Sequence, residues 1–124
     1  MRILIDTHLL LWALVTPSKL SKAARQLIDK SEVYVSAASI WEISIKTALG
    51  KLAANSSDVL AAVEPAGFSL LSISGQHAAE VANLAPHHKD PFDRLLVAQA
   101  LAEPMRLLTN DDVLRAYGDF VIIA

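Results

Sequence analysis

The feature that most constrains this chain is an alternation that runs from one end to the other. Short apolar runs alternate with longer stretches of helical period. Arg2–Ile5, Glu32–Ser36, Phe68–Ile73, Arg106–Thr109 and Phe120–Ile123 are brief, rich in Ile, Val and Leu, and bounded by polar or turn residues, which reads as strands. Between them lie Thr7–Val15, Ser21–Lys30, Ala37–Leu49, Asn55–Ala66, Gln76–Leu84, the stretch "HHKDPFDRLLVAQA" running on to Glu103-Pro104, and Asp111–Tyr117, which read as helices. In Ser21–Lys30 the apolar Ala24, Leu27 and Ile28 share one face. Gly50 stands where the helix from Ala37 should end, in the position that favours a left-handed residue. Strands that alternate with helices pair in parallel, because a parallel pair needs a crossover long enough to hold a helix. The expected fold is a three-layer α/β/α sandwich with a mainly parallel central sheet.

The 124 residues show no internal repeat, linker or low-complexity segment, so residues 1–124 read as a single domain. Hydrophobic residues make up 53%, enough for a core and too many for a disordered chain. The formal charge of -2 gives no general basic field, so any contact with nucleic acid must rest on local Lys and Arg or on metal ions. There is no cysteine, which excludes disulfides, zinc–thiolate sites and a thiol nucleophile. The apolar start Ile3-Leu4-Ile5 is broken by Asp6 and His8, unlike a signal peptide, and no uncharged run is long enough to span a membrane. A soluble, cytoplasmic protein is the expectation.

Acidic residues recur where strands end and helices begin. Asp6 follows the first strand, and Asp111 and Asp112 follow the fourth. Asp90-Pro91 has the form of a helix cap with proline at the first helical position, and Asp93 falls in the first turn. Each of these can be read as a cap. Glu42 is harder to read that way: Ser36 is the better cap for its helix, which places Glu42 in the second turn among Trp41, Ile43 and Ile45, with Lys46 one turn on as a possible ion-pair partner. Topology favours a shared site. In an open parallel sheet the carboxyl ends of the strands, and the helix starts that follow, line one edge, where ligands bind. That edge would gather Asp6, Glu42, Asp93 and Asp111. A cap contributes about 1 kcal/mol, whereas two carboxylates ~4 Å apart repel by roughly 4 kcal/mol at an effective dielectric near 20. Either some acids are protonated or a cation sits among them, and a set of oxygen ligands suits Mg²⁺ or Mn²⁺.

The segments "ILIDTHLLLWAL", "VSAASIWEISIKTALGKL", "HHKDPFDRLLVAQA" and "LLTNDD", in this order and spacing, closely resemble the PIN-domain ribonucleases, in particular the VapC-type toxins of toxin–antitoxin pairs. The resemblance runs essentially from Met1 to the C-terminus. It implies a Mg²⁺- or Mn²⁺-dependent endoribonuclease. Carried over by position, the family's four acids fall on Asp6, Glu42, Asp93 and Asp111 as catalytic and metal-binding residues. Asp90 is a further metal ligand or a helix cap, and Asp112 is the alternative to Asp111. The resemblance also implies a homodimer silenced by a small cognate antitoxin, which often inserts a segment into the groove near the active site.

Thr7 and Thr109 carry hydroxyls near the acids, where they can orient a carboxylate or a water. Lys46, Lys51, Lys89 and Arg94 are candidate phosphate contacts, Arg94 foremost because it adjoins Asp93; ordinary solvated surface is the alternative. His8, His77, His87 and His88 offer no i, i+4 pair for zinc, and His87-His88-Lys89 reads as a solvated loop. Trp12 and Trp41 read as core or subunit interface. A phospho-accepting receiver needs an acid ending the third strand and a lysine near the last; "FSLLSIS" and "FVIIA" have neither. An aspartate phosphatase needs a second Asp two residues after the first, where this chain has His8. The remaining alternative to the nuclease is a catalytically weak binding module that acts through a protein partner.

Overall fold

A computed structural model describes all residues from Met1 to Ala124. The five strands are β1 (Arg2–Ile5), β2 (Glu32–Ser36), β3 (Ser69–Leu71), β4 (Arg106–Thr109) and β5 (Val121–Ile123). They form one sheet in the order β3-β2-β1-β4-β5, and every pairing is parallel. The helices are α1 (Thr7–Val15), α2 (Lys22–Lys30), α3 (Ala37–Ala48), α4 (Ser56–Val63), α5 (Gly75–Glu80) and α6 (Pro91–Ala102). The expected sandwich is therefore found, with a sheet that is wholly parallel.

Alternation along β1 divides the core in two. Ile3 and Ile5 face one side, where they pack with Leu9, Leu10, Ala24, Ile43, Val59 and Val63 from α1 to α4. Leu4 faces the other, against Leu96, Val97 and Ala100 of α6 and Leu114. No helix of the structure is long and apolar enough to cross a membrane.

Local sequence accounts for most of the boundaries. Asp6, Ser21, Ser36, Asn55, Ser74 and Asp90 each cap the following helix through a side-chain oxygen. Helix α3 ends in a Schellman turn: Gly50, at φ +71°, donates to Thr47 O and Lys51 donates to Lys46 O. Four elements differ from expectation. β3 is three residues rather than six, because it is a sheet edge with only β2 to pair with. α4 stops at Val63, short of the expected Ala66. The helix expected over Gln76–Leu84 is α5 followed by a 3-10 turn at Val81–Asn83, and the segment after β4 is a 3-10 helix over Asp112–Tyr117 capped by Asp111.

Ser36 joins the two halves of the molecule. Its hydroxyl oxygen accepts from Ala38 N at the start of α3, and its proton goes to the buried Gln99 Oε1 on α6. Ser36→Ala removes a cap and leaves a buried amide oxygen without that donor. We expect a loss of about 2 kcal/mol in urea unfolding; a change under about 0.5 kcal/mol, the size of an ordinary surface substitution, would refute this role.

Candidate active site

The sheet register brings the site together. Ile5 pairs with Val35 of β2 and with Leu108 of β4, so Asp6, Ser36 and Thr109 emerge side by side at the carboxyl edge. The amide of Asp6 continues the ladder, donating to Leu108 O at 3.0 Å.

Asp6 has two roles at once. Its Oδ1 accepts from Leu9 N at 2.8 Å, which caps α1, and its Oδ2 accepts a short hydrogen bond from the Thr109 hydroxyl. The same Thr109 oxygen accepts from Asp111 N at 3.0 Å, so Thr109 ties the end of β1 to the turn after β4. Glu42 is buried, reached from both sides of its carboxylate. Thr7 Oγ1 donates to Oε1 at 2.6 Å, and Lys46 Nζ lies 2.7 Å from Oε2. The Thr7 oxygen is also 2.9 Å from Ser39 Oγ.

Asp90 and Asp93 separate clearly. Asp90 Oδ1 accepts from Phe92 N at 2.8 Å and Asp93 N at 3.1 Å, the work of a cap. Asp93 projects from the first turn of α6 with no comparable donor; the nearest is His88 Nε2 at 3.4 Å from its Oδ2. Asp111 and Asp112 separate as well. Asp111 Oδ1 accepts from Val113 N, and its Oδ2 is 2.8 Å from His88 Nε2. Asp112 points to solvent and pairs with Arg115.

Two of the basic residues stand elsewhere than expected. The Arg94 guanidinium reaches Val81 O, Ala85 O, His88 O and the Tyr117 hydroxyl, so it clamps the loop before α6 instead of facing the acids. His88, read from sequence as part of a solvated loop, lies between Asp93 and Asp111. The available signal was its place two residues before a cap, within reach of the cap's N–H: Asp90 N donates to His88 Nδ1 at 3.0 Å. Of the two readings for Trp41, core and subunit interface, the structure removes the first: the indole is exposed, edge-on to Phe92 at 5.2 Å between ring centres. The other histidines stay outside the acid cluster: His77 closes a capping box with Ser74 and lies 2.6 Å from Glu103 through Nε2. Lys46 remains beside the acids, and it lines a cavity of about 250 Å³ with Thr7, His8, Leu11, Lys51 and Leu52.

The electrostatics show that the acids sense one another. Asp93 is pushed from 3.8 to about 7, first by burial, then by the Asp90 charge, with Asp6 and Glu42 adding and His88 opposing. Burial also raises Asp6, against the hydrogen bond from Thr109. Lys46 is raised, mainly by its bond to Glu42. Lys46 Nζ lies against Glu42, and His88 Nε2 lies against Asp111 and Asp93. Carboxylates drawn from β1, α3, α6 and the turn after β4 thus leave excess negative charge at Asp93. A hard divalent ion fits that donor set, and Asp93, the least hydrogen-bonded of them, is the natural first ligand.

A five-stranded parallel α/β domain with mutually close acids at its carboxyl edge defines the class. The family follows from comparison with known proteins: the PIN domain model matches residues 3–119, and the chain belongs to that family. PIN domains are nucleases and generally use divalent metals. Among solved structures, similarity extends to VapBC2 from Rickettsia felis bound to a promoter DNA fragment, at 14% identity and TM-score 0.70, covering 100% of this chain and 98% of that one. A toxin–antitoxin complex from Klebsiella pneumoniae is 17% identical with TM-score 0.65, covering 97% and 95%. FitAcB from Neisseria gonorrhoeae is 18% identical with TM-score 0.65, covering 98% and 96%. Comparison with curated proteins returned no match.

A group whose folded pKa is raised contributes stability below its unfolded value and loses it as pH rises through the folded value. For Asp93 that window runs from 3.8 to about 7. In EDTA the protein should therefore lose stability from pH 4 to pH 8, on the order of 2 kcal/mol once partial solvation is allowed for. Asp93→Asn should flatten most of that slope in urea titrations. A wild-type protein that grows more stable toward pH 8 in EDTA would contradict the electrostatics described here.

Proposed function

We propose that this PIN domain is a metal-dependent endoribonuclease and the toxin of a toxin–antitoxin pair. The observation that carries this reading is convergence: acids from separate segments lie close enough at one sheet edge that, beside its burial, the charges of Asp90, Asp6 and Glu42 all raise Asp93. Asp6, Glu42, Asp93 and Asp111 hold Mg²⁺ or Mn²⁺ in this proposal, with Asp90 contributing its second oxygen or acting only as cap. When bound, the ion supplies water activation and stabilises charge on the phosphoryl oxygens of an in-line displacement.

The protein's own residues supply the rest. Thr7 and Thr109 fix the orientation of Glu42 and Asp6, two of the carboxylates that would hold the ion. A carboxylate not engaged by the ion takes the proton of the attacking water. Lys46 and Lys51 face the RNA phosphates from the α3 side. The engagement of Arg94 with loop carbonyls argues against the phosphate role expected from its sequence position.

The similar structures VapBC2 and the Klebsiella complex are toxin–antitoxin assemblies, which supports a small antitoxin as partner here. We extend the same reading to a homodimer acting on cytoplasmic RNA.

Cleavage of single-stranded and structured RNA tests the proposal. Activity is expected with Mg²⁺ or Mn²⁺, none in EDTA, and a loss of roughly a hundredfold or more for Asp6→Asn. Equal cleavage under all three conditions would end the proposal. Calorimetry that detects no Mn²⁺ binding would favour a binding module instead.

A further inference from the structure

His88 lies among the acids with its Nε2 and the carboxylate oxygens of Asp93 and Asp111 all within 4.8 Å of one another. Two roles are compatible with that spacing. The ring can be a nitrogen ligand to the ion, or it can be a donor that holds carboxylates in place. The hydrogen bond on its far side decides between them. The amide of Asp90 donates to His88 Nδ1 at 3.0 Å, so Nδ1 presents a lone pair and carries no proton. A neutral ring in that state has its hydrogen on Nε2, directed at Asp111 Oδ2 at 2.8 Å and, more distantly, Asp93 Oδ2 at 3.4 Å. To ligate through Nε2 the ring would have to move its proton to Nδ1. Two donors, the Asp90 N–H and the new Nδ1–H, would then face each other at hydrogen-bond distance.

From this geometry we infer that His88 is a positioning residue: an imidazole whose Nε2–H holds Asp111 beside Asp93, leaving the ion an all-oxygen ligand set. The inference rests on the metal-site reading proposed above.

The surroundings hold the ring in this pose. The His88 amide donates to the Tyr117 hydroxyl at 3.2 Å, and Arg94 donates to both Tyr117 and the loop carbonyls. Asp90 is immobilised as the cap of α6 and so presents its N–H to Nδ1 from a fixed place. Arg94 thereby acquires a function its sequence neighbourhood did not suggest: it anchors the loop that carries the ring. The Asp111 side chain is about a third exposed (35%), so without the Nε2–H only the Val113 N–H on its other oxygen restrains it. The all-oxygen set also bears on metal choice, since it keeps the site hard and suited to Mg²⁺ or Mn²⁺ over softer ions that favour imidazole.

The test has three readouts on the full chain. Long-range ¹H–¹⁵N NMR of the metal-free protein reads the tautomer; a proton on Nε2 of His88 is expected, and a proton on Nδ1 overturns the inference. Calorimetric Mn²⁺ titration compares wild type, His88→Ala and His88→Gln. His88→Ala should weaken binding about 10- to 100-fold, and His88→Gln, which restores a neutral N–H donor, should recover most of it. Equal affinity for all three overturns the positioning role. Pulsed EPR of bound Mn²⁺ should lack the coupling of a directly ligated imidazole nitrogen; its presence, lost in His88→Ala, makes His88 a ligand and overturns the inference. A wild-type protein that binds no Mn²⁺ sinks the metal reading, and the tautomer measured without metal still decides whether His88 is the donor described.

Discussion

Parallel strand pairing is the constraint on which the molecule depends. Four parallel pairings point every strand the same way, so every carboxyl end, and most helix starts, lie along one edge. Asp6 and Thr109 are 103 residues apart in the chain and share a hydrogen bond because β1 and β4 are neighbours in register. The hydrophobic faces on either side secure this arrangement. Ile3 and Ile5 are buried under α1 to α4 and Leu4 under α6, so a one-residue slip of β1 would exchange the two faces and move Asp6 out of the hollow.

That edge is also where capping and site chemistry compete for the same side chains. Asp6, Asp90 and Asp111 all accept backbone N–H groups, and the second oxygens of Asp6 and Asp111 meet the Thr109 hydroxyl and His88 Nε2. Capping and metal binding are therefore not rival explanations for Asp6 or Asp111. A carboxylate has two oxygens, and the helix start occupies one of them. Asp93 differs. It accepts no backbone donor, and it collects the repulsion of its neighbours. The protein tolerates this through Lys46 on one flank and His88 on the other.

Much of the fold was legible because it rests on short-range rules. Ser36 and Asp90 cap as their neighbours predict, Gly50 ends α3 in a left-handed turn, and strand alternation sets the sheet faces. Asp6 and Glu42 could also be placed, since strand ends and a buried-looking helix turn are local features. Other residues escaped sequence reasoning for identifiable physical reasons. Arg94 follows Asp93, but successive helix residues turn by about 100°, so it leaves the cleft and meets carbonyls from Val81 and Ala85. Asp111 and Asp112 are equivalent in sequence, and only the closing of the 3-10 helix turns one inward and the other to Arg115. For Trp41 the sequence left core and subunit interface open, and the turn of α3 that buries Glu42 and Ile43 leaves the indole outside the core.

The amino-acid order by itself determined the alternation of strand and helix, the caps and turns, and the set of acids available for chemistry. These follow from backbone preferences and side-chain periods that operate over a few residues. The tertiary structure alone decided which acids lie close to one another, that Thr109 donates to Asp6, and that His88 stands between Asp93 and Asp111. Those outcomes depend on distances between residues remote in the chain and on the burial that strengthens their charges, neither of which local sequence encodes.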